Sequence, residues 1–434
     1  MRAFLTGLCT LHWGRMEYGN VGNYYIIEPF VRQLHRVFPD LELYTTFQMS
    51  DDFCRRENVT CVPMEEYYNW EAQDLPKAFE EYGSAVYFSK TGKLKLKTPY
   101  IEQVLASDLV IDLSGDMWGD NADLAGKNRF LVALLKDKTA QLLGKKTVML
   151  AGSPGPFDIL TEQERNFVKD VYEKFDYVTN REPISTQYLS RLGFDLSHTR
   201  DSFCPAFIFE KRPAAEIERK VEKFASGNPV LGVSICGFNF IEGNFNTWPR
   251  KDEEYEKFAL LIEKSVREQN AKVLLLSHNN GFVRTPEFQL QQGRDYFIMQ
   301  QLYKVLIARG VISQENILLI EAPLLPWEVK TVIGLCDVYI SGRAHGAVAA
   351  LSQNVPCLLI DYQNGPSPLK LRGFATDEKM ERYVVKIEEI ETAYMLLSEL
   401  WTKREELKEK LSDQNIKISS EIQHAFDELR KVMG

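Results

Sequence analysis

Short, continuously apolar runs alternate with longer amphipathic segments over most of the chain. A run that is apolar at every position, rather than at every second one, marks a strand covered on both faces. Its alternation with helical segments predicts βαβ units around parallel sheets. In the first half the predicted strands are Ala3–Leu8, Leu41–Thr45, Leu109–Leu113, Thr147–Ala151 and Tyr177–Thr179. In the second half they are Val230–Ile235, Lys272–Ser277, Ile317–Ile320, Val338–Ser341 and Cys357–Ile360. Helical spacing of apolar positions covers Tyr25–Val37, Phe130–Leu143, Thr161–Phe175, Glu254–Glu268, Tyr296–Arg309 and Trp327–Leu335.

The pattern weakens across Pro205–Asn228, whose charged run KRPAAEIERKVEKFASGN reads as a helix-like linker between two strand-rich halves. The expected organisation is therefore an N-terminal Rossmann-like domain over 1–210 and a C-terminal one over 211–385. Residues 386–434 are read as one or two charged helices, apolar at Ile390, Leu397, Leu400, Leu407 and Leu411, that pack on the domains. The fold class expected is α/β, two doubly wound domains facing a cleft. Such sheets bind ligands at the carboxyl ends of their strands, so candidate site residues should sit just after strands.

Length agrees with this division: 434 residues are too many for one core and suit two domains. Composition is ordinary for a globular protein, 44% hydrophobic and 26% charged. The net charge of −9 argues against a nucleic-acid partner, which needs a concentrated basic face, but not against a small anion held by a few arginines. The seven cysteines are scattered without a CxxC pair and read as reduced, buried thiols of a cytoplasmic protein. The N-terminal segment lacks the apolar region of a signal peptide, and no stretch reaches the ~18 apolar residues of a membrane span. The basic run Lys90–Lys97 leaves room for peripheral contact with the inner face of a membrane; oligomeric state is not readable from the pattern.

The richest chemistry lies in Asp337–Tyr362, DVYISGRAHGAVAALSQNVPCLLIDY. A strand ends at Ser341, Gly342 frees a turn, Arg343 and His345 follow, and a helix of small residues begins at once. A helix N-terminus favours anions, a guanidinium forks onto carboxylate or phosphate, and an imidazole transfers protons near neutral pH. The competing reading makes Arg343 a structural ion pair and His345 a helix cap. Ser277 and His278 follow another apolar strand. In VMLAGSPGPF, Ser153 and Gly155 lie in a loop of small residues that lets a ligand approach the backbone. Arg181 follows a strand and suits an anion, while Glu182 beside it caps a helix or pairs with the arginine. Gly22 and Asn23 lie in GNVGN ahead of the first long helix, and Asp112 in DLSGD carries a carboxylate at a strand end. No GxGxxG, Walker A lysine, HExxH or zinc-spaced Cys/His set occurs, so no nicotinamide cofactor, ATP-type P-loop or structural metal is expected.

Taken in order, these segments resemble the polysaccharide pyruvyl transferase family. The matching pieces are Gly19–Asn23, Asp108–Asp116, Ala151–Phe157 (close to the family's GQSxGPF), Thr179–Ser185 (RExxS), Asp201, His278 and Asp337–Tyr362. Lys370 and Gly373-Phe374 match a trailing YxxKxxGf stretch. The chain departs from the family at Asn23, often Asp there, and at Leu113-Ser114-Gly115, often a glycine-rich triplet. The resemblance implies a GT-B-like pair of domains, with the acceptor on the N-terminal side and the donor on the C-terminal side. It implies phosphoenolpyruvate as donor, a nucleotide-, lipid- or oligosaccharide-linked sugar as acceptor, a pyruvate ketal as product, and no cofactor. Arg343, Arg181 and Lys370 would hold the donor's charges, and Gly22, Asn23, Ser153, Gly155, Ser277 and Ser341 would line the substrates. His345 is the first candidate for the acid, with His278 or Asp112 behind it. The alternatives are a sugar-nucleotide glycosyltransferase of the same fold, or a non-catalytic sugar- or anion-binding protein.

Overall fold

The computed structural model describes the chain except positions 10, 125, 285 and 364–368 and the side chain at 369. The chain forms two compact units. Met1–Met16, Ile27–Pro205 and Ser420–Gly434 make the first; Glu17–Ile26 and Ala206–Ser419 make the second. The units thus exchange two short pieces that a reading by chain order leaves in place. They can do so because the helices at 21–37 and 404–433 each contribute one end to each unit.

The first unit is built on a seven-stranded parallel sheet in the order β3-β2-β1-β4-β5-β6-β7. Its strands are β1 Arg2–Thr6, β2 Glu42–Thr45, β3 Val59–Cys61, β4 Leu109–Asp112, β5 Lys146–Gly152, β6 Tyr177–Asn180 and β7 Thr199–Asp201. Its helices are α1 Val21–Val37, which the second unit shares, α2 Asp51–Glu57, α3 Asp74–Thr91, α4 Pro99–Ala106, α5 Arg129–Leu142, α6 Glu162–Tyr172 and α7 Pro183–Arg191. The sequence locates them. Ser50 and Thr98 cap α2 and α4 by accepting from backbone N–H groups, and Thr161 and Glu164 form a capping box on α6.

The second unit has a six-stranded parallel sheet in the order β12-β9-β8-β13-β14-β15 and a separate hairpin, β10-β11. The strands are β8 Val230–Ser234, β9 Lys272–Leu275, β10 Asn280–Val283, β11 Gln289–Gln292, β12 Ile317–Leu319, β13 Val338–Ser341, β14 Cys357–Ile360 and β15 Val384–Val385. The helices are α8 Ala215–Ala225, α9 Glu256–Gln269, α10 Arg294–Ala308, α11 Pro326–Gly334, α12 Ala344–Leu351, α13 Leu369–Asp377, α14 Ile390–Thr402 and α15 Arg404–Met433, the last shared with the first unit. The segment read as a helix-like linker is helical, and the change of unit falls at its start, between Pro205 and Ala206. Most of its charged run is α8, an amphipathic helix that buries Val221 and packs on α11. Trp401 on α14 is buried and donates to Ser265 Oγ on α9 at 3.0 Å, which fixes α14 in this unit.

In both sheets the chain builds outward in one direction and then returns to start the other side. The reversals fall between β1 and β4, where Thr6 pairs with Asp112, and between β8 and β13, where Ser234 pairs with Ser341. At such a point two loops diverge and open a crevice beyond the strand ends. Cys204, Cys236, Cys336 and Cys357 are buried, while Cys9, Cys54 and Cys61 are only half-buried. Among the described residues no helix is long and apolar enough to cross a membrane.

Under the first sheet, α3 and α5 bury an ion pair. Lys136 Nζ lies 2.5 Å from Glu81 Oε2 and also donates to Glu66 O at 2.9 Å, while Thr98 Oγ1 donates to Glu81 Oε1 at 2.7 Å. Burial pushes the ammonium down to about 8, against the pull of Glu81. Removing one member of such a pair strands a charge, whereas removing both need not cost stability. Lys136→Met should therefore lower unfolding free energy by about 3–5 kcal/mol in urea titrations, and Lys136→Met/Glu81→Leu should recover most of it.

Candidate active site

The second unit concentrates cationic and imidazole groups at its sheet reversal. Ser341 ends β13, and its Oγ donates to Arg343 O at 2.8 Å and accepts from Arg343 N at 3.3 Å, closing the turn into α12. Gly342 allows this turn to sit on Asn239: a Cβ there would lie 1.9 Å from Asn239 Oδ1. Asn239 is itself fixed, accepting from Cys236 N at 2.8 Å and donating to Ile360 O at 3.0 Å, so it ties the exits of β8 and β14 together. The N-cap residue of α12, Arg343, makes no side-chain capping bond.

Arg343 forks onto Asp295 in the first turn of α10, with Nε to Oδ2 at 2.9 Å and Nη2 to Oδ1 at 2.5 Å. Asp295 is fully buried, and 18% of the Arg343 side chain remains exposed. Burial alone would lower the guanidinium's pKa; the adjacent Asp295 carboxylate more than reverses this and holds it charged. The ion pair weighed from the sequence is thus present. It uses one edge of the guanidinium, Nε and Nη2, and orients the group.

His278 follows β9. It is 1% exposed, and among the described residues neither ring nitrogen has a hydrogen-bond partner. Burial, and then the Arg343 charge, depress its pKa to about 3, so the imidazole is neutral. A buried polar ring without partners is costly unless something fills the space beside it. Ser277 is committed to the local turn, donating to Asn279 O at 2.7 Å and accepting from Asn279 N at 3.2 Å, and this sets the direction in which His278 leaves the strand. Tyr25 packs edge-on to His278 with ring centroids 5.6 Å apart, and its hydroxyl donates to Pro326 O at 3.1 Å.

His345, buried in the first turn of α12, is set by two neighbours. Phe374 on α13 lies 5.5 Å away centroid to centroid. On the other side is Gly22, where a Cβ would come within 2.5 Å of His345 Cβ and 2.8 Å of its Nδ1. Gly22 N donates to Asn20 Oδ1 at 3.1 Å and Asn23 N to Asn20 O at 2.9 Å, so GNVGN forms a turn that presents the glycine to the histidine. Lys370 is half-buried in the first turn of α13. Arg343, His345, His278, Ser277, Ser341, Gly22, Asn23 and Lys370 all belong to the second unit.

The remaining candidates form a separate cluster at the strand ends of the first unit. Asp112 is buried and accepts from Ser114 N at 3.0 Å and Ser114 Oγ at 2.6 Å. Burial raises its pKa to about 7; burial and the Asp112 charge also raise Asp137, which accepts from Trp118 Nε1 at 3.2 Å. Arg181 is buried, with Nε donating to Ser153 Oγ at 2.8 Å and Nη2 to Asp116 Oδ1 at 3.1 Å. Gly155 has a positive φ of 96°, and a Cβ there would meet Tyr188 Cε1 at 2.7 Å. Glu182 does cap a helix: it is buried and accepts from Ser185 N at 3.0 Å at the start of α7.

Two residues of these edges escape the sequence reading. Asp295 lies one position before the predicted helix start, and an acidic first-turn residue is the only signal it gives. Arg129 is buried at the exit of β1, with Nη2 donating to Leu8 O at 2.5 Å and Cys9 O at 3.1 Å beneath the Trp70 ring. Nothing near it in sequence marks it.

His278 yields a linkage prediction. Its folded pKa lies below the unfolded value near 6.5, so its penalty is absent above about pH 7 and grows as pH falls from 6.5 towards 3. The loss should reach up to about 1.4 kcal/mol per pH unit. His278→Gln should flatten the acid limb of stability against pH. In the wild type, imidazole NMR should show His278 neutral down to about pH 4, and Arg343→Met should raise its midpoint. A second prediction concerns Gly22: Gly22→Ala should displace His345, seen as a changed imidazole spectrum, with the β-sheet circular dichroism retained.

The fold is shared with solved structures at identities too low to speak of anything but fold. Anabaena Alr3699/HepE in complex with UDP and glucose is 8% identical, with a TM-score of 0.56 over 99% of this chain and 98% of that one. The UDP-GlcNAc 2-epimerase from Methanocaldococcus jannaschii is 12% identical, with a TM-score of 0.53 over 92% of each chain. S. aureus MnaA in its UDP co-structure is 12% identical, with a TM-score of 0.52 over 95% and 91%. These are GT-B-like proteins, and the two parallel-sheet α/β units described above are of that class. No curated protein matches the chain. The sequence model of one family does match, over residues 20–364, a span that contains Arg343, His345, His278, Asp112 and Arg181, and by it the chain belongs to the polysaccharide pyruvyl transferase family.

Proposed function

We propose that this protein transfers the enolpyruvyl unit of phosphoenolpyruvate to a pair of hydroxyls on a sugar, forming a pyruvate ketal during assembly of a surface polysaccharide or glycoconjugate. The observation that carries the reading is the grouping of Arg343, His345 and His278, the last unpartnered among the described residues, around the N-terminus of α12. Phosphoenolpyruvate brings a phosphate and a carboxylate. A charged guanidinium oriented by Asp295, the N–H groups that begin α12 and Lys370 are the donors such an anion requires.

The reaction begins when a proton is delivered to the methylene carbon, which becomes a methyl group and leaves an oxocarbenium-like centre. We assign His345 as the acid. A first sugar hydroxyl attacks that centre and loses its proton. His278 is suited to receive it: it is neutral before substrate binds, and a phosphate beside it raises its affinity for a proton. Loss of inorganic phosphate regenerates the cationic centre, and the second hydroxyl closes the ketal. The two hydroxyl protons end on the methyl carbon and on phosphate, so the step balances without a redox partner. Arg343 and α12 stabilise the departing phosphate. The acceptor sugar is assigned to the strand ends of the first unit, with Arg181, Ser153, Gly155 and Asp112 as its contacts.

The test is release of inorganic phosphate from phosphoenolpyruvate in the presence of a panel of nucleotide-linked and lipid-linked sugars, with the ketal detected by mass spectrometry. Consumption of a nucleotide sugar without phosphoenolpyruvate would instead identify a glycosyltransferase. Arg343→Lys keeps a charge for Asp295 but loses the fork, and kcat/KM should fall by about 10²–10³-fold with the fold intact. Activity within threefold of wild type would move the donor site elsewhere.

A further inference from the structure

At the opposite end of α12 the second unit holds a cavity of about 570 Å³ that none of the chemistry above uses. Lys330 of α11 lines it and is 2% exposed. Its Nζ donates to Phe209 O; among the described residues no carboxylate comes within ion-pair distance of it, and Glu210 acts on it only at longer range. Two further polar atoms on the cavity's lining residues are buried and unpartnered, Ser352 Oγ and Gln353 Oε1. Gln353 cannot turn its amide to meet them, because Nε2 is held by Lys330 O at 2.7 Å and Ala349 O at 2.8 Å. Those two bonds also satisfy helix carbonyls that would otherwise compete for a ligand's donors.

We propose that this cavity is a binding site for a small hydroxylated anion of the sugar-phosphate class, with Lys330 as its charge partner. One ammonium proton is used by Phe209, which leaves two for an anion's oxygens. A buried cation that is not ion-paired is costly, since Glu210 offsets its burial only in part, and an anionic ligand removes the remaining cost. Ser352 Oγ donates or accepts and Gln353 Oε1 accepts, so the complementary groups are hydroxyls. The site is independent of the proposed donor site: Arg343 and His345 stand at the N-terminus of the same eight-residue helix, and Ser352 and Gln353 follow its C-terminus.

Burial lowers Lys330 to about 7, and Glu210 opposes that shift. Glu210 and Lys211 are the other charged residues on the lining; α12 contributes neutral Ser352 and Gln353 at its end, and α15 contributes neutral Asn415 and Ser419. A bound anion raises the lysine's pKa. Affinity is therefore complete below about pH 7 and falls as pH rises, by up to about tenfold per pH unit, until the bound-state pKa is reached.

Calorimetric titration with glucose 1-phosphate, inorganic phosphate and glucose tests this. Glucose 1-phosphate should bind, phosphate more weakly and glucose not measurably. Affinity should fall at least about tenfold between pH 6.5 and 8.5, with proton uptake seen as buffer-dependent heat. Lys330→Met should weaken binding at least about tenfold and Ser352→Ala by about threefold to tenfold, while Arg343→Lys leaves it unchanged. Should Lys330→Met not fold, Ser352→Ala and the pH dependence still decide. Equal affinity in the Lys330 or Ser352 variants, loss only in Arg343→Lys, equal binding of glucose, or no heat at millimolar ligand would each overturn the assignment.

Discussion

A parallel sheet covered by helices on both faces has no polar surface of its own. Its strands are buried along their length, as Leu109–Asp112, Val338–Ser341 and Cys357–Ile360 are here, so side chains that meet water or ligand must come from the strand ends and the loops beyond them. The reversal of strand order then selects which ends matter, since the loops diverge at β1 and β4 in one unit and at β8 and β13 in the other. Ser341, Gly342 and Arg343 occupy one of these points, and Asp112 and Ser114 the other. The chemistry of the chain follows from this constraint: a strand that stops at Ser341 delivers an arginine and a histidine into a crevice within five residues of leaving the core.

Burial of charge is then handled in three ways, and the differences carry functional meaning. Lys136 and Glu81 are closed, since each oxygen and the ammonium have partners, and the pair serves α3 and α5 alone. Arg343 and Asp295 are half-closed: the carboxylate is saturated by one edge of the guanidinium, and part of the arginine remains exposed. His278 and Lys330 are open: among the described residues the first has no partner on either nitrogen and the second a single carbonyl. A buried titratable group that lacks full compensation and also lines a crevice or cavity differs from an ordinary core polar residue. This difference is the physical ground for reading one as part of an active site and the other as a second binding site.

The long, continuously apolar runs were legible. Val338–Ser341 and Cys357–Ile360 have the predicted bounds, and the helices at Phe130, Tyr296 and Trp327 begin within two residues of theirs. The short peripheral strands β3, β7 and β15 were not, because edge positions with mixed polarity such as Thr199–Asp201 carry no buried run. The β10-β11 hairpin, NGFV against QLQQ, lies outside both sheets and lacks the apolar alternation that marks a half-buried strand. Helix α3 was missed for the opposite reason: buried charged and small residues, among them Glu81, Ser84 and Ala85, replace the apolar stripe. Helix α4 does bury Tyr100, Ile101 and Val104, but it spans only eight residues.

By itself the sequence determined the class of fold, the strand ends that carry chemistry, and the string of motifs that places the chain in its family. These are local properties, since apolar periodicity and strand-to-helix turns are written in consecutive residues. The tertiary structure alone decided what those residues face. That Asp295 holds Arg343 and that Gly22 packs on His345 are contacts between residues 48 and 323 positions apart, and the surroundings of His278 and Lys330 are likewise set by segments distant in the chain. The pairings depend on which loops the sheet order brings together, and no window of sequence contains both halves of any of them.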